Sequence, residues 1–83
     1  MFILMGERLP RIKPLPLIKA LSKIGIRVGR QKGSHAQLCG IYKGQTRFTT
    51  IPIHGGELPH GVLLAVLKDC GISRKELIEL LQE

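Results

Sequence analysis

The tripeptide Gly33-Ser34-His35 follows directly on the basic run Arg30-Gln31-Lys32. Histidine is the side chain whose unperturbed pKa lies nearest neutrality, so it takes or gives a proton without an elaborate environment. Arg30 and Lys32 supply positive charge beside it, and Gly33 permits a positive-φ turn through which a phosphate can approach the backbone. A proton-transfer group at the edge of an anion-attracting surface indicates RNA chemistry.

Positive charge is concentrated in the N-terminal two-thirds of the 83-residue chain, whose formal net charge is +7. No acidic residue occurs between Arg8 and Gly56, and the cations of that stretch are Arg8, Arg11, Lys13, Lys19, Lys23, Arg27, Arg30, Lys32, Lys43 and Arg47. Acidic residues gather instead near the C-terminus, at Asp69, Glu76, Glu79 and Glu83. This asymmetry predicts a polyanionic partner, either nucleic acid or an acidic protein. A solvated basic surface that serves solubility is the alternative.

One small domain over residues 1–83 is the expected organisation, because 83 residues suffice for a single modest core. Aliphatic residues must build that core, since Phe2, Tyr42 and Phe48 are the only aromatic residues. So few rings argue against a single-strand binder that depends on base stacking. The cysteines, Cys39 and Cys70, are predicted to be small core residues with reduced thiols.

The opening segment Met1-Phe2-Ile3-Leu4-Met5 is apolar, but it lacks the basic start of a secretory leader and is too short to span a membrane. We therefore expect a soluble, cytoplasmic protein with no membrane partner. Two alternatives stay open for this segment. Either Met5 is the true start, or the first four residues add a strand or an oligomer contact.

The hydrophobic pattern predicts a helix, three antiparallel strands, a second helix and a short third helix. The first helix is expected from Pro16 to a stop at Gly25. The three strands are expected at Ile26 to Gln31, His35 to Tyr42 and Thr46 to Ile53. The second helix is expected from Pro59 to a stop at Gly71, and the third after Ser73. Gly29 indicates a bulge in the first strand, and Ser73 with Glu76 has the spacing of a capping box. The order predicts a two-layer α+β domain with its helices on one face of a three-stranded meander.

The alternation of side chains along the second strand locates His35 relative to the sheet. If Ala36 and Leu38 pack on the helices, His35 lies on the opposite, open face or at its rim. The residues expected to share its face are Gln37, Cys39 and Ile41.

The residues of the chain give little support to metal-dependent catalysis or to a Ser-His-Asp catalytic triad. A two-metal nuclease needs clustered carboxylates, and Glu7 and Glu57 are the only acids outside the C-terminal region. Zinc ligands could be assembled from His35, Cys39 and a further His or Cys, but no spacing typical of zinc sites occurs. Ser34 and His35 are neighbours that point to opposite sides of a strand, so they do not form a Ser-His-Asp triad. No metal or other cofactor is therefore expected.

Metal-free attack within RNA itself is the chemistry that these residues fit. His35 acts as a base on the ribose 2′-hydroxyl, the oxygen attacks the adjacent phosphorus, and Lys or Arg stabilises the charge on the phosphoryl oxygens. DNA, which lacks that hydroxyl, is spared. The expected RNA-binding residues are Arg27, Arg30, Lys32, Gly33, Ser34, Lys43 and Arg47.

Several segments of the chain together resemble the HicA family of toxin ribonucleases. The most specific is Arg30-Gln31-Lys32-Gly33-Ser34-His35, and the others are Leu9-Pro10-Arg11, Leu17-Ile18-Lys19-Ala20-Leu21, Ile51-Pro52-Ile53-His54 and Leu67-Lys68-Asp69-Cys70-Gly71-Ile72-Ser73. The resemblance implies a fold like the double-stranded-RNA-binding domain, metal-independent cleavage of mRNA, and neutralisation by a HicB-type antitoxin. The family's catalytic histidine falls on His35.

The sequence leaves alternative roles open for each histidine. His35 is either catalytic or a structural residue that caps the turn. His54 ends the third strand, where it hydrogen-bonds the turn, contacts a phosphate or transfers a second proton, and His60 is expected to be a surface residue. Two further functional classes also stay open: a non-catalytic module that binds double-stranded RNA, and a subunit whose basic face docks an acidic protein.

Overall fold

The computed structural model describes residues 9–82 of the chain. Its elements are α1 (Pro14–Ser22), β1 (Arg27–Lys32), β2 (His35–Tyr42), β3 (Gln45–Pro52), α2 (His60–Cys70) and α3 (Arg74–Gln82). The strands form one antiparallel sheet in the order β1-β2-β3, and the helices pack on one of its faces. The predicted two-layer α+β fold is therefore confirmed. The alternatives for the opening segment, including Met5 as the start, fall outside the described residues.

The core lies between the sheet and the helices and is aliphatic, as the composition predicted. Its most deeply buried side chains are Leu17, Leu21, Ile26, Leu38, Ile51, Leu77, Val66, Thr49 and Cys70. Cys70 is the small core residue that was expected, but the same prediction was wrong for Cys39, which is exposed. The reason is strand alternation, because Cys39 is one residue beyond the buried Leu38 and projects from the other face.

The helix boundaries follow local signals. α1 begins at Pro14, two residues before the predicted start, because proline is tolerated throughout the first turn where no N–H partner is needed. The capping box of α3 is confirmed, since Glu76 N–H donates to Ser73 Oγ at 3.0 Å and Ser73 N–H donates to Glu76 Oε1 at 2.8 Å. None of the described helices is long and apolar enough to cross a membrane.

Two glycines let the strands take up their positions. The pairing of β1 with β2 shifts between Val28 and Arg30, so the predicted bulge at Gly29 is confirmed. At Gly40 a Cβ atom would collide with the carbonyl oxygen of Gly25, so only glycine fits where β2 passes the loop between α1 and β1.

Candidate nucleic-acid interface

His35 stands on the face of the sheet that the helices leave open. Ala36 and Leu38 are fully buried against the helices, so the alternating residues of β2 project the other way, and His35 is exposed. This confirms the predicted parity. The imidazole makes no side-chain hydrogen bond with residues 9–82, so its two nitrogens remain accessible to a ligand.

Cross-strand pairing arranges the open face in three rows that run across β1, β2 and β3. The rows are Lys32, His35 and Pro52; Arg30, Gln37 and Thr50; and Arg27, Cys39 and Phe48. Each row therefore begins with a cation on β1. Among the residues that form these rows there is no carboxylate. The result is a strip of positive charge along one edge of the face, with His35 at its end.

The bulge in β1 is what gives the strip its regularity. Arg27 and Arg30 are an odd number of positions apart, so in a regular strand they would project from opposite faces. Because Gly29 is the extra residue of the bulge, they pair instead with Cys39 and Gln37, which share the open face.

The turn before His35 is held from two sides. Gly33 has φ 60°, which confirms the predicted positive-φ turn. Gln31 Nε2 donates to Gly33 O at 3.5 Å, and Ile53 N–H donates to Ser34 O at 2.6 Å. The second bond extends the β2–β3 ladder past His35, so the histidine sits on rigid backbone.

His54 lies at the same end of the sheet as His35, two residues beyond Pro52, which pairs with His35. Its Nδ1 accepts a hydrogen bond from the N–H of Gly56 at 3.2 Å. This confirms the alternative in which His54 bonds the turn. Because Nδ1 is the acceptor, the neutral ring carries its proton on Nε2, where it is a donor. His60 is exposed at the first position of α2.

Lys43 and Arg47 lie at the opposite end of the sheet and are not brought together with His35. Lys43 Nζ contacts both carboxylate oxygens of Glu76, at 2.9 and 3.0 Å, and Arg47 Nε donates to Tyr42 O at 3.0 Å. Tyr42 Oη also donates to Glu76, at 3.0 Å. We call Tyr42, Lys43, Arg47 and Glu76 the hairpin latch, because they join the β2–β3 hairpin to the N-terminus of α3.

Hydrogen bonds of the capping box and of the hairpin latch shift the pKa values of Glu76 and Tyr42. The backbone N–H of Ser73, followed by Lys43, lowers the pKa of Glu76 from 4.5 to about 2. The hydrogen bond to Glu76, with burial as the next cause, raises the pKa of Tyr42. Glu76 is therefore ionised throughout the neutral range and holds Lys43 by charge.

In strand β3 a polar side chain is buried and an apolar side chain is exposed, which is the reverse of the usual arrangement. Thr49 is buried at 2% exposure and donates to Asp69 Oδ2 at 2.9 Å, whereas Phe48 beside it is 58% exposed on the open face. Ile41 is also exposed there. The number of aromatic residues in the sequence did not indicate that one of them, Phe48, is exposed on the open face. A reversal of this kind often marks a functional surface.

Metal-ligating side chains do not converge in residues 9–82. No group of three His, Cys, Asp or Glu residues in this range could hold an ion. In particular, His35 and Cys39 gain no third ligand from the other described residues.

A protein-family model for the HicA toxin of bacterial toxin-antitoxin systems matches residues 16–72. The match covers more than half of the chain. It includes the whole sheet, His35, His54 and α2. No curated protein matches the chain significantly.

Proposed function

Because the chain belongs to the HicA family of toxins from bacterial toxin-antitoxin systems, we propose that it is a metal-independent endoribonuclease that cleaves mRNA with His35 as the proton-transfer group. The family consists of toxin mRNA interferases, which supports ribonuclease activity at the level of the family. The observation that carries the proposal is the pairing of His35 with Lys32 on an exposed sheet face.

The reaction begins when His35 takes the proton of a ribose 2′-hydroxyl. The 2′-oxygen then forms a bond to the adjacent phosphorus while the bond from phosphorus to the next nucleotide's 5′-oxygen breaks. That oxygen takes up a proton, so the products end in a 2′,3′-cyclic phosphate and a 5′-hydroxyl. Lys32 stabilises the charge on the phosphoryl oxygens. General base help of this kind is worth roughly 10²–10⁴-fold in rate.

Substrate phosphates are held along β1 in this proposal. Arg27, Arg30 and Lys32 supply the charge, and the Gly33-Ser34 backbone positions the phosphate next to His35. Contacts of RNA with Lys43 and Arg47 stay predictions, because both side chains are engaged in the hairpin latch.

His54 is proposed to contact the same phosphate as a hydrogen-bond donor. Its Nε2 carries the proton when the ring is neutral, because Gly56 N–H donates to Nδ1. An imidazole with its proton on Nε2 donates a hydrogen bond to a phosphate oxygen, and a second proton-transfer role for His54 stays a prediction.

An antitoxin is the protein partner that the family implies. We propose that this partner is of the HicB type and neutralises the toxin by covering the basic face. An acidic surface complements the cations of β1, and a strand added to the open edge of β1 achieves the same cover.

Incubation of the purified chain with a mixed-sequence RNA in excess EDTA tests the proposal. We expect the wild type to cleave RNA and to leave DNA of the same sequence intact, whereas His35→Ala cleaves neither. His60→Ala is the matched control, because it removes an exposed histidine outside the three rows, and it should cleave like the wild type. Intact RNA with a retarded band on a native gel would favour the non-catalytic binding module. Cleavage only when Mg²⁺ is restored would overturn metal independence.

A further inference from the structure

We propose that the open face binds single-stranded RNA with a nucleobase stacked on Phe48 and the neighbouring phosphates on Arg27, Arg30 and Lys32. This inference rests on the proposed function, because it names the substrate class of the same site. It assigns to Phe48 a role that the cleavage chemistry does not require.

Phe48 does not belong to the hydrophobic core that residues 9–82 form. Its ring is 58% exposed, while the neighbouring Thr49 occupies the buried position and has its hydroxyl satisfied by Asp69. An exposed aromatic ring on the open face of β3 gives up the burial that usually stabilises such a side chain. A nucleobase stacked on the ring would restore that burial, and aromatic side chains accept bases of any sequence in this way.

The residues beside Phe48 on the open face have small side chains. Its row continues through Cys39, a small side chain, to Arg27. Gly29 leaves the space above this thiol open, since a Cβ atom at Gly29 would lie 3.6 Å from Cys39 Sγ. In this row the small side chain of Cys39 therefore separates the ring of Phe48 from the cation of Arg27.

The spacing of the rows fits an extended strand. Adjacent rows are two residues apart, or about 7 Å at the usual rise of a strand. This is comparable to the separation of successive phosphates in an extended single strand, so each cation can meet its own phosphate. Phe48 is four residues from Pro52, which pairs with His35, and this corresponds to about 13 Å. The stacked base therefore belongs to a nucleotide near the cleaved bond but not at it.

Single-stranded RNA fits this face better than a duplex or a protein does. Stacking needs a base with a free face, whereas a duplex presents its phosphates and minor groove and hides its base faces. A stable protein interface buries roughly 800 Å² on each partner. The exposed apolar side chains Phe48 and Ile41 are too few to form the apolar centre of an interface of that size. The three cations match a polyanion.

Binding measurements in a His35→Ala background test the inference without interference from cleavage. The probes are a fluorescent unstructured RNA oligomer and a blunt RNA duplex, followed by anisotropy. Phe48→Leu keeps an apolar side chain but removes the ring face, and we expect it to weaken binding of the single strand about tenfold. Phe48→Trp should bind as tightly as its parent. Ile41→Ala is the matched control, since it removes an exposed apolar side chain outside the three rows, and it should leave both affinities unchanged.

Three outcomes would overturn the inference. Phe48→Leu could bind the single strand like its parent, it could lose single strand and duplex affinity equally, or only its affinity for an antitoxin could fall. The last would make the ring a protein contact. These results are separable from the cleavage assay. If the wild type cleaves no RNA but the affinity for the single strand depends on the Phe48 ring, the stacking site is retained and the nuclease is rejected. If the wild type cleaves RNA but the affinity does not depend on the ring, only the stacking site is rejected.

Discussion

Lys32 and His35 form the last residue pair of the β1–β2 ladder, directly across the turn at Gly33 and Ser34. Directly opposed residues of an antiparallel pair have Cβ atoms about 5 Å apart, so backbone geometry starts both side chains from neighbouring points of the open face. Both side chains are exposed. In the proposed mechanism, a phosphate bound by Lys32 therefore lies next to His35.

Lys32→Ala should weaken RNA binding and make its salt dependence shallower. Loss of one phosphate contact releases one fewer condensed counterion, which reduces the slope of log affinity against log salt by about 0.7 for a single strand. Titration of RNA at several salt concentrations, in the His35→Ala background, measures this slope. Lys75→Ala is the control because Lys75 is exposed on α3, in the helix layer, and should keep the parent slope. An unchanged slope for Lys32→Ala would remove Lys32 from the interface.

His35→Ala should abolish cleavage while changing the free energy of unfolding by no more than about 1 kcal/mol, as is usual for an exposed side chain. Urea denaturation of the variant beside the wild type measures this difference. A large loss of stability would instead support the structural role, in which His35 caps the turn.

Features that depend on sequence neighbours could be predicted well. The parity of β2 follows from Ala36 and Leu38, and the capping box follows from Ser73 and Glu76 three residues later. The bulge at Gly29 was predicted in the same way. In each case the deciding contact or alternation lies within a few residues, so the sequence alone contains it.

Features that depend on distant partners could not be predicted. Lys43 counted as an RNA ligand by its charge, but its partner Glu76 is 33 residues away and meets it only once α3 packs beside the hairpin. The exposure of Phe48 likewise depends on Asp69, because this distant carboxylate satisfies Thr49 in the buried position. No pattern among the neighbouring residues in the sequence predicts either arrangement.

Glu76→Gln should flatten the acid dependence of stability. Folding lowers the pKa of Glu76 from 4.5 to about 2, so the ionised carboxylate stabilises the folded state above about pH 4.5. That stabilisation is lost as the pH falls from 4.5 through 2. Glutamine keeps the acceptor of the capping box but neither titrates nor pairs with Lys43.

Denaturation at a series of pH values between 2 and 7 measures this effect as the difference between Glu76→Gln and the wild type. Glu79→Gln removes an exposed carboxylate from the same helix and should retain the wild-type fall in stability. Equal slopes for the wild type and Glu76→Gln would show that ionisation of Glu76 contributes nothing to folding stability.

The two thiols should react with a thiol reagent at very different rates. Cys39 is exposed on the open face, whereas Cys70 is fully buried and burial, with Asp69 as the second cause, raises its pKa to about 11. In the native protein we expect rapid modification of Cys39 alone, and modification of Cys70 only when denaturant is added. Cys39→Ser should therefore show no rapid phase. A rapid phase that persists in this variant would mean that the packing of Cys70 against the sheet opens in the native state.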